Sequence, residues 1–490
     1  MGAAEDGRGQ AAVVVGGGIS GLLAAREMAR AGVRTTVLEA SNDWGGCVGS
    51  HVVGGLTLDS GAESFATRSS AVADLAAELG LSAEIVAPNP GGAWVQLPDG
   101  PRELPRTGVL GIPASPWDPE VRRSLGMLGS LRASLDALLP ASLGTGSGDT
   151  SVSALVRARM GRRVLERLVA PVVGGVHSAD PAVLDVDMVA PGLRAGIRQH
   201  GSLAAAVAAQ RRGVVGAVGN GNAAAAAPNT ALQKAGSAVA GLRGGMHTLI
   251  AALLADLRDR GVTLLSSTRA DTIQRTADGW RVRSGDLDYD AGRLVVAVDG
   301  PAAVGLLSGA LPELASRRPA AGPDVSLVTL VVDLPALDSA PRGTGILVAP
   351  QSPGIAAKAL THATAKWRWL AGQAAPGTHV LRLSYGRGTR PADGSGTEPR
   401  TDVELFEAAL KDASALLAVP VPAHAVLAWD VVRWSGALPF ASLGHKRRVA
   451  EVREICAADG TLAVVGGWLS GNGLAAIVAD TPKVLRTLLP

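Results

Sequence analysis

The stretch VVVGGGISGLLAAREMARAG, followed by TTVLEA, constrains this chain more than any other part of it. Residues 11–15 are a short apolar run, 19–31 repeat apolar side chains at helical spacing, and 34–39 are again apolar and β-branched. Residues 11–40 therefore read as strand, helix, strand. Between the first strand and the helix, Gly16, Gly18 and Gly21 stand in the spacing G-x-G-x-x-G. In such a unit the first glycine permits a tight turn, the second lets backbone approach a pyrophosphate, and the third lets helix and strand pack closely. The N–H groups that open the helix face phosphate charge. Glu39 ends the second strand about 20 residues on, where a carboxylate accepts hydrogen bonds from ribose hydroxyls. A dinucleotide cradle is predicted.

At 490 residues the chain exceeds one core, and two or three domains are expected. Lys+Arg 46 against Asp+Glu 43 leaves a charge of +3, with no basic block, which excludes a general nucleic-acid binder. Cys47 and Cys456 are far apart and lack metal-ligand spacing, so no metal is expected and a reducing, cytoplasmic compartment fits. The opening MGAAEDGRGQ has no basic n-region before an apolar core, so no secretory leader is expected. Asp6 stands where N-myristoylation wants Ser or Thr. The uncharged stretches 213–233 and 462–479 contain too much Gly, Asn and Pro, or the turn GGWLSGNG, to read as membrane spans. Peripheral membrane contact is left open.

Further along, LTLDSGAESF is extended and turns on Gly61, and 71–79 reads as a helix. From about 90 to 205, Pro-rich turns (LPRTGVLGIPASPWDP) give way to helical stretches at 120–139 and 152–169. Residues 211–237 are low in complexity and read as a mobile excursion. A helix at 246–260, a strand at 262–266, a hairpin-like GWRV and a strand at 294–298 follow. Then come strands at 325–332 and 380–385, a helix at 403–417, and strand–turn–helix over 461–489. Gly45-Gly46 follows Glu39 closely, as a second glycine pair packs beside the dinucleotide in many flavoproteins. No second fingerprint preceded by a strand offers a nicotinamide site. One dinucleotide alone reads as FAD, in an oxidase that passes electrons to oxygen or another acceptor.

The expected fold class is α/β, a Rossmann-type FAD-binding domain with an inserted mixed-sheet substrate domain and a helical insertion. The boundaries place FAD-binding segments at 1–88, 241–298 and 431–490, a helical and membrane-facing insertion at 89–205, a low-complexity mobile segment at 206–240, and a substrate domain at 299–430.

The motifs DSGAESFATR with LAAELGL, LGIPASP, RLVAPVVGGVHSADP, GLRGGMHTL, AKALTHATAKWRWL, RWSGALPFASLGH and GGWLSGNGLAAIVAD follow in that order over nearly the whole chain. Together they resemble the protoporphyrinogen/coproporphyrinogen oxidase family, within the monoamine-oxidase-like flavoproteins. The variant is similar to that of high-GC Gram-positive bacteria, which implies coproporphyrinogen III as substrate, with protoporphyrinogen IX as the alternative. The implied reaction, in heme synthesis, passes hydride from the substrate's meso carbons to FAD, with oxygen as final acceptor and hydrogen peroxide as by-product. Transient contact with a downstream heme-pathway enzyme is also implied. The rivals are an amine oxidase, a carotenoid desaturase and a flavin-bound carrier without turnover. With only 2 Tyr and 3 Phe, the aromatic cage of an amine oxidase is hard to build.

By this resemblance Gly16, Gly17, Gly18, Ile19, Ser20, Gly21, Glu39, Ala40 and Gly46 hold the ADP half of FAD. Gly61, Ala62, Glu63 and Ser64 run past the isoalloxazine, and Ala270 offers backbone to the adenine side. Trp434 and the turn Asn472, Gly473, Leu474 close over the flavin ring, with core packing and a plain turn as the alternatives. The helix after that turn places its N-terminus where reduced flavin carries negative charge. Substrate contacts are implied at Arg68, whose guanidinium fork matches a propionate, with a solvated surface arginine as the alternative, and at Leu347, with Ile346 and Val348 beside it. His177 either hydrogen-bonds a propionate or lies at the surface. No catalytic acid or base is assigned, because aromatisation drives the reaction. By the same resemblance Asp43 stands where the family usually carries Arg, and Cys47 where it carries Lys, Arg or Trp.

Overall fold

The computed structural model describes residues 11–105, 108–146, 148–219, 239–386, 401–436 and 441–489. Five parallel strands form its first sheet: β1 (Ala11–Val15), β2 (Arg34–Leu38), β3 (Thr263–Leu265), β4 (Arg293–Val296) and β5 (Leu462–Val464). Their order is β3-β2-β1-β4-β5. The order reverses beside β1, so the strand that carries the glycine fingerprint sits where a crevice opens beyond the carboxyl ends. Both faces are covered. Ala12 and Val14 of β1 share a core with Leu22, Leu253 and Ile477 from three helices, while Val13 and Val15 pack with Trp280, Leu307 and Val452. That double burial is why the strand is apolar at successive positions.

The second sheet has seven strands, in the order Val426–Trp434, Val325–Asp333, Thr378–Tyr385, Ala359–His362, Gly345–Val348, Trp94–Leu97 and Gly100–Glu103. The helix Asp402–Leu417 covers one face, where Leu330, Ile346, Val348, Leu360, Leu381 and Leu383 meet Leu405 and Leu416. Successive strand side chains point to opposite faces. The register therefore lines up Leu347, Thr361, Arg382, Thr329, Asp430 and Trp434 on the other face, toward the segments that run on from β2.

Two boundaries change. Residues 94–103, assigned from the sequence to a helical insertion, supply the last two strands at one end of the mixed sheet, joined at Pro98-Asp99-Gly100. That tripeptide is a turn signal, but the Pro-rich surroundings masked the short strands beside it. Val426–Trp434 crosses the expected boundary at 430, so Trp434 belongs to the mixed sheet.

A helical region built from Pro119–Ser134, Val152–Met160, Ala170–His177, Leu193–His200 and Leu203–Gly219 has its own core around Leu125, Leu155, Val173 and Leu203. The helix Leu203–Gly219 extends into the stretch read as a mobile excursion, because its alanines and valines continue the helix; 220–238 lie outside the described residues. Residues 437–440 of the RWSGALPFASLGH motif lie outside them as well. Among the described residues no helix is long and apolar enough to cross a membrane, and no cluster of ligating side chains could hold a metal ion.

Candidate functional site

The three fingerprint glycines serve different purposes. Gly16 has φ +106°, and a Cβ there would lie 2.7 Å from the Ala297 carbonyl oxygen just past β4. A Cβ on Gly21 would fall inside the carbonyl of Gly16. The fold itself demands both glycines. Gly18 differs: its φ −69° and ψ 172° suit any residue, and nothing lies within 4 Å of a Cβ built on it. The protein leaves that space for something else. The helix Ile19–Arg30 starts there with no side-chain cap and no acidic residue in its first turn, so its opening N–H groups are available to an anion.

Glu39 stands just past β2. Its carboxylate accepts from the Gly17 N–H at 2.6 Å and from the Ser41 N–H at 2.8 Å, which pins the glycine loop. The Thr268 N–H donates to the Glu39 carbonyl at 2.7 Å, bringing the loop that carries the half-buried Ala270 alongside. The Gly45 N–H donates to the Gly17 carbonyl at 2.9 Å, and a Cβ on Gly46 would lie 3.5 Å from Gly18 Cα. Cys47 is open to solvent yet walled in by protein, and that enclosure pushes its thiol pKa up. It lines a cleft.

The segment 59–64 continues this cleft into the mixed sheet. The Ala62 N–H donates to the Cys47 carbonyl at 2.8 Å, and a Cβ on Gly61 would clash with that same oxygen. From the mixed sheet, Arg382 donates to the carbonyls of Gly61 at 2.9 Å and Asp59 at 3.2 Å. The Trp434 indole N–H donates to the Ser60 carbonyl at 2.9 Å. Three consecutive carbonyls are thus spent on the protein. The N–H groups of Gly61, Glu63 and Ser64 have no hydrogen-bond partner among the described residues. Glu63 itself receives Lys366 and, at 3.1 Å, Arg382. Burial alone would raise its carboxyl pKa, but the two cations outweigh burial and hold it at about 2.

Two residues predicted for different roles meet. Asn472, in the turn before the helix Leu474–Leu485, lies 3.3 Å from His177 through its amide nitrogen and the ring Nδ1. His177 ends the helix Ala170–His177 and is buried, not at the surface, and burial lowers its pKa to about 4. A neutral imidazole held by Asn472 is not the cationic partner a propionate favours. The Asn472 side-chain oxygen is buried without a partner, and the helix behind it is uncapped at Gly473, φ +116°. Leu347 faces the cleft and packs on Gly175, where a Cβ would lie 2.6 Å from its Cδ2. Ile346 and Val348 do not line the cleft with it: the strand's two-residue period buries them under the helix Asp402–Leu417. Arg68 is exposed and has no ion-pair partner among the described residues. Asp43 is exposed and Cys47 uncharged, so neither brings a cation to the glycine loop.

These features fit a flavin dinucleotide: open space over Gly18, unpaired N–H groups at Gly61, Glu63 and Ser64, and a lone amide oxygen before an uncapped helix. Lys366 and Arg382 were missed in the sequence. The lone arginine in the strand VLRLSY, on the face opposite to the leucines, was the signal for Arg382.

The sequence model for flavin containing amine oxidoreductases matches residues 19–480. The chain is 31% identical to a coproporphyrinogen III oxidase of Propionibacterium freudenreichii subsp. freudenreichii, covering 96% of this chain and 88% of that one. It is 32% identical to the coproporphyrinogen III oxidase of Mycobacterium leprae over 97% of each chain. A crystal structure of an Exiguobacterium sp. 255-15 protein, provisionally called a protoporphyrinogen oxidase, superimposes with a TM-score of 0.78 at 25% identity over 98% of both chains.

Proposed function

Since this chain belongs to the family of flavin-containing amine oxidoreductases, we propose that it binds FAD and oxidises coproporphyrinogen III to coproporphyrin III with oxygen as acceptor. When bound, the flavin supplies the redox chemistry, taking hydride from the saturated meso carbons and giving the electrons to oxygen as hydrogen peroxide. The protein's part is binding, orientation and exclusion of water. Gly16, Gly18, Gly21, Glu39 and Gly46 hold the ADP half, and Ala270 borders the adenine. The N–H groups of Gly61, Glu63 and Ser64 would be available to the ring, and Trp434 and Asn472 would help to hold it.

One observation carries the reading. The segment 59–64 is fastened at once to the glycine loop through Cys47 and to the mixed sheet through Arg382 and Trp434. A ring lying along it would face the sheet surface that carries Leu347. That surface sets Leu347 and Trp434 for apolar contact beside the polar Thr329, Thr361 and Arg382, and Arg68 would be a partner for a propionate. An amine substrate is disfavoured, since Tyr385 lies in the core under the helix Asp402–Leu417, hydrogen-bonded to Asp412, and Tyr289 sits in a separate hairpin sheet. No side chain is assigned as acid or base.

The test compares initial rates of porphyrin fluorescence on coproporphyrinogen III and protoporphyrinogen IX at equal concentration, with anaerobic flavin bleaching in parallel. Faster turnover of coproporphyrinogen supports the reading. A strong preference for protoporphyrinogen overturns the substrate, and flavin uptake without porphyrin formation above the air-oxidation rate makes the protein a carrier.

Contact with a membrane surface belongs to the same proposal. Met127, Leu128, Leu131, Leu135 and Leu138 are exposed along the helical stretch that follows a break at Gly126, which carries Arg132, with Arg122 and Arg123 just before the break. Apolar side chains beside arginines suit an anionic lipid interface.

A further inference from the structure

We infer that Lys366, Arg382 and Glu63 form a buried charge cluster that tunes the bound flavin, the two cations raising its electron affinity and the carboxylate restraining it. The inference rests on the flavin reading above. Lys366 ends the short helix Ala363–Lys366, Arg382 lies on the central strand Thr378–Tyr385, and both converge on Glu63. Their side chains are only 15–16% exposed, so solvent screens the cluster weakly. Two cations share one carboxylate, which leaves one positive charge in excess.

The neighbouring carboxylates are each engaged by partners outside the cluster. The Asp59 carboxylate accepts from the N–H groups of Met246 at 2.9 Å and His247 at 3.0 Å, and from the His247 ring at 3.0 Å. That carboxylate is therefore turned toward the start of the helix His247–Asp259, where the helix dipole offsets part of its charge. Asp430, on the same sheet face, is held by His51 at 2.6 Å. The pKa of about 2 for Glu63 keeps the carboxylate charged at any working pH, so the excess is constant.

Lys366 and Arg382 are positioning residues. They reach the cofactor through Glu63 and through the Asp59 and Gly61 carbonyls. A fixed positive excess beside a ring that becomes negative on reduction stabilises the reduced form. Nothing in the local motifs around residue 63 or residue 366 reveals this, because the partners are 303 positions apart.

The test uses FAD-loaded protein and sulfite, whose addition places a negative charge on the flavin, followed by absorbance. K366M and R382M are expected to weaken sulfite binding about 10-fold, and E63Q to tighten it by a similar factor, with K366R and R382K staying near wild type. Opposite signs are the signature of charge. A cluster that merely props up the segment would loosen it in all of these neutral variants and move sulfite affinity one way, and that result overturns the inference. If R382M does not fold, K366M against E63Q gives the same sign test. Wild-type protein that takes up no FAD overturns the flavin reading itself, which is a distinguishable outcome.

Discussion

Replacing Gly18 with alanine separates what the fold requires from what the cofactor requires. The backbone there, φ −69° and ψ 172°, is open to alanine, and a Cβ would meet no atom within 4 Å. Removing a glycine at a compatible site restricts the unfolded chain, so the flavin-free protein should be as stable as wild type or gain about 0.4–1 kcal/mol. Flavin binding should suffer. The second fingerprint glycine is where backbone closes on the pyrophosphate, and one methyl forced into such a contact costs about 1–3 kcal/mol. That corresponds to roughly 5- to 150-fold in affinity. The assay is urea unfolding of the flavin-free protein together with titration of FAD fluorescence quenching. Gly21→Ala is the control: its Cβ would collide with the Gly16 carbonyl, so stability and flavin binding should fall together. If Gly18→Ala bound FAD like wild type, or cost the flavin-free protein more than about 1 kcal/mol, the reading of the open space would be wrong.

The remaining predictions address pH, substrate and surface. Burial lowers the pKa of His177, and burial with the neighbouring His379 lowers that of His362, each from 6.5 to about 4. The unfolded chain binds more protons between those values, so stability is full above pH 6.5 and falls as pH drops toward 4, by about 3 kcal/mol per histidine. Urea midpoints measured across this range should show the decline, and His177→Phe should flatten part of it; an unchanged slope contradicts the assignment. Arg68→Ala should raise KM for coproporphyrinogen about 10-fold while the flavin spectrum stays the same, as for loss of one charge-assisted hydrogen bond; an unaltered KM removes Arg68 from the substrate site. Leu128→Asp with Leu138→Asp should reduce co-flotation with anionic lipid vesicles without changing turnover, and equal flotation of variant and wild type argues against a lipid-facing role for this stripe.

Much of the cofactor half was legible in the sequence because its signals are local. The strand at 11–15, the helix from 19 and the glycine spacing depend on neighbours within one βαβ unit, and the structure places them as read. The strands near 263, 293 and 462 announced themselves as apolar runs, since a sheet buried on both faces needs them. The substrate half was less legible. Ile346 and Val348 look like Leu347 in sequence, and only the sheet's pairing partners decide which face meets the cleft. The two strands at 94–103 were hidden because the strand that joins them to the sheet, Gly345–Val348, lies some 250 residues later.

The sequence alone determined that a dinucleotide loop exists, because turn chemistry and helical period act over a few residues. It also carried the resemblance that the family match then supported. The tertiary structure alone decided the pairing of His177 with Asn472, 295 positions apart, and the gathering of Lys366 and Arg382 on Glu63. Such contacts arise when two sheets and a helical region close on one another. Each side chain taken singly is an ordinary polar residue, and its charge, protonation and reach take their meaning from the partner the fold supplies.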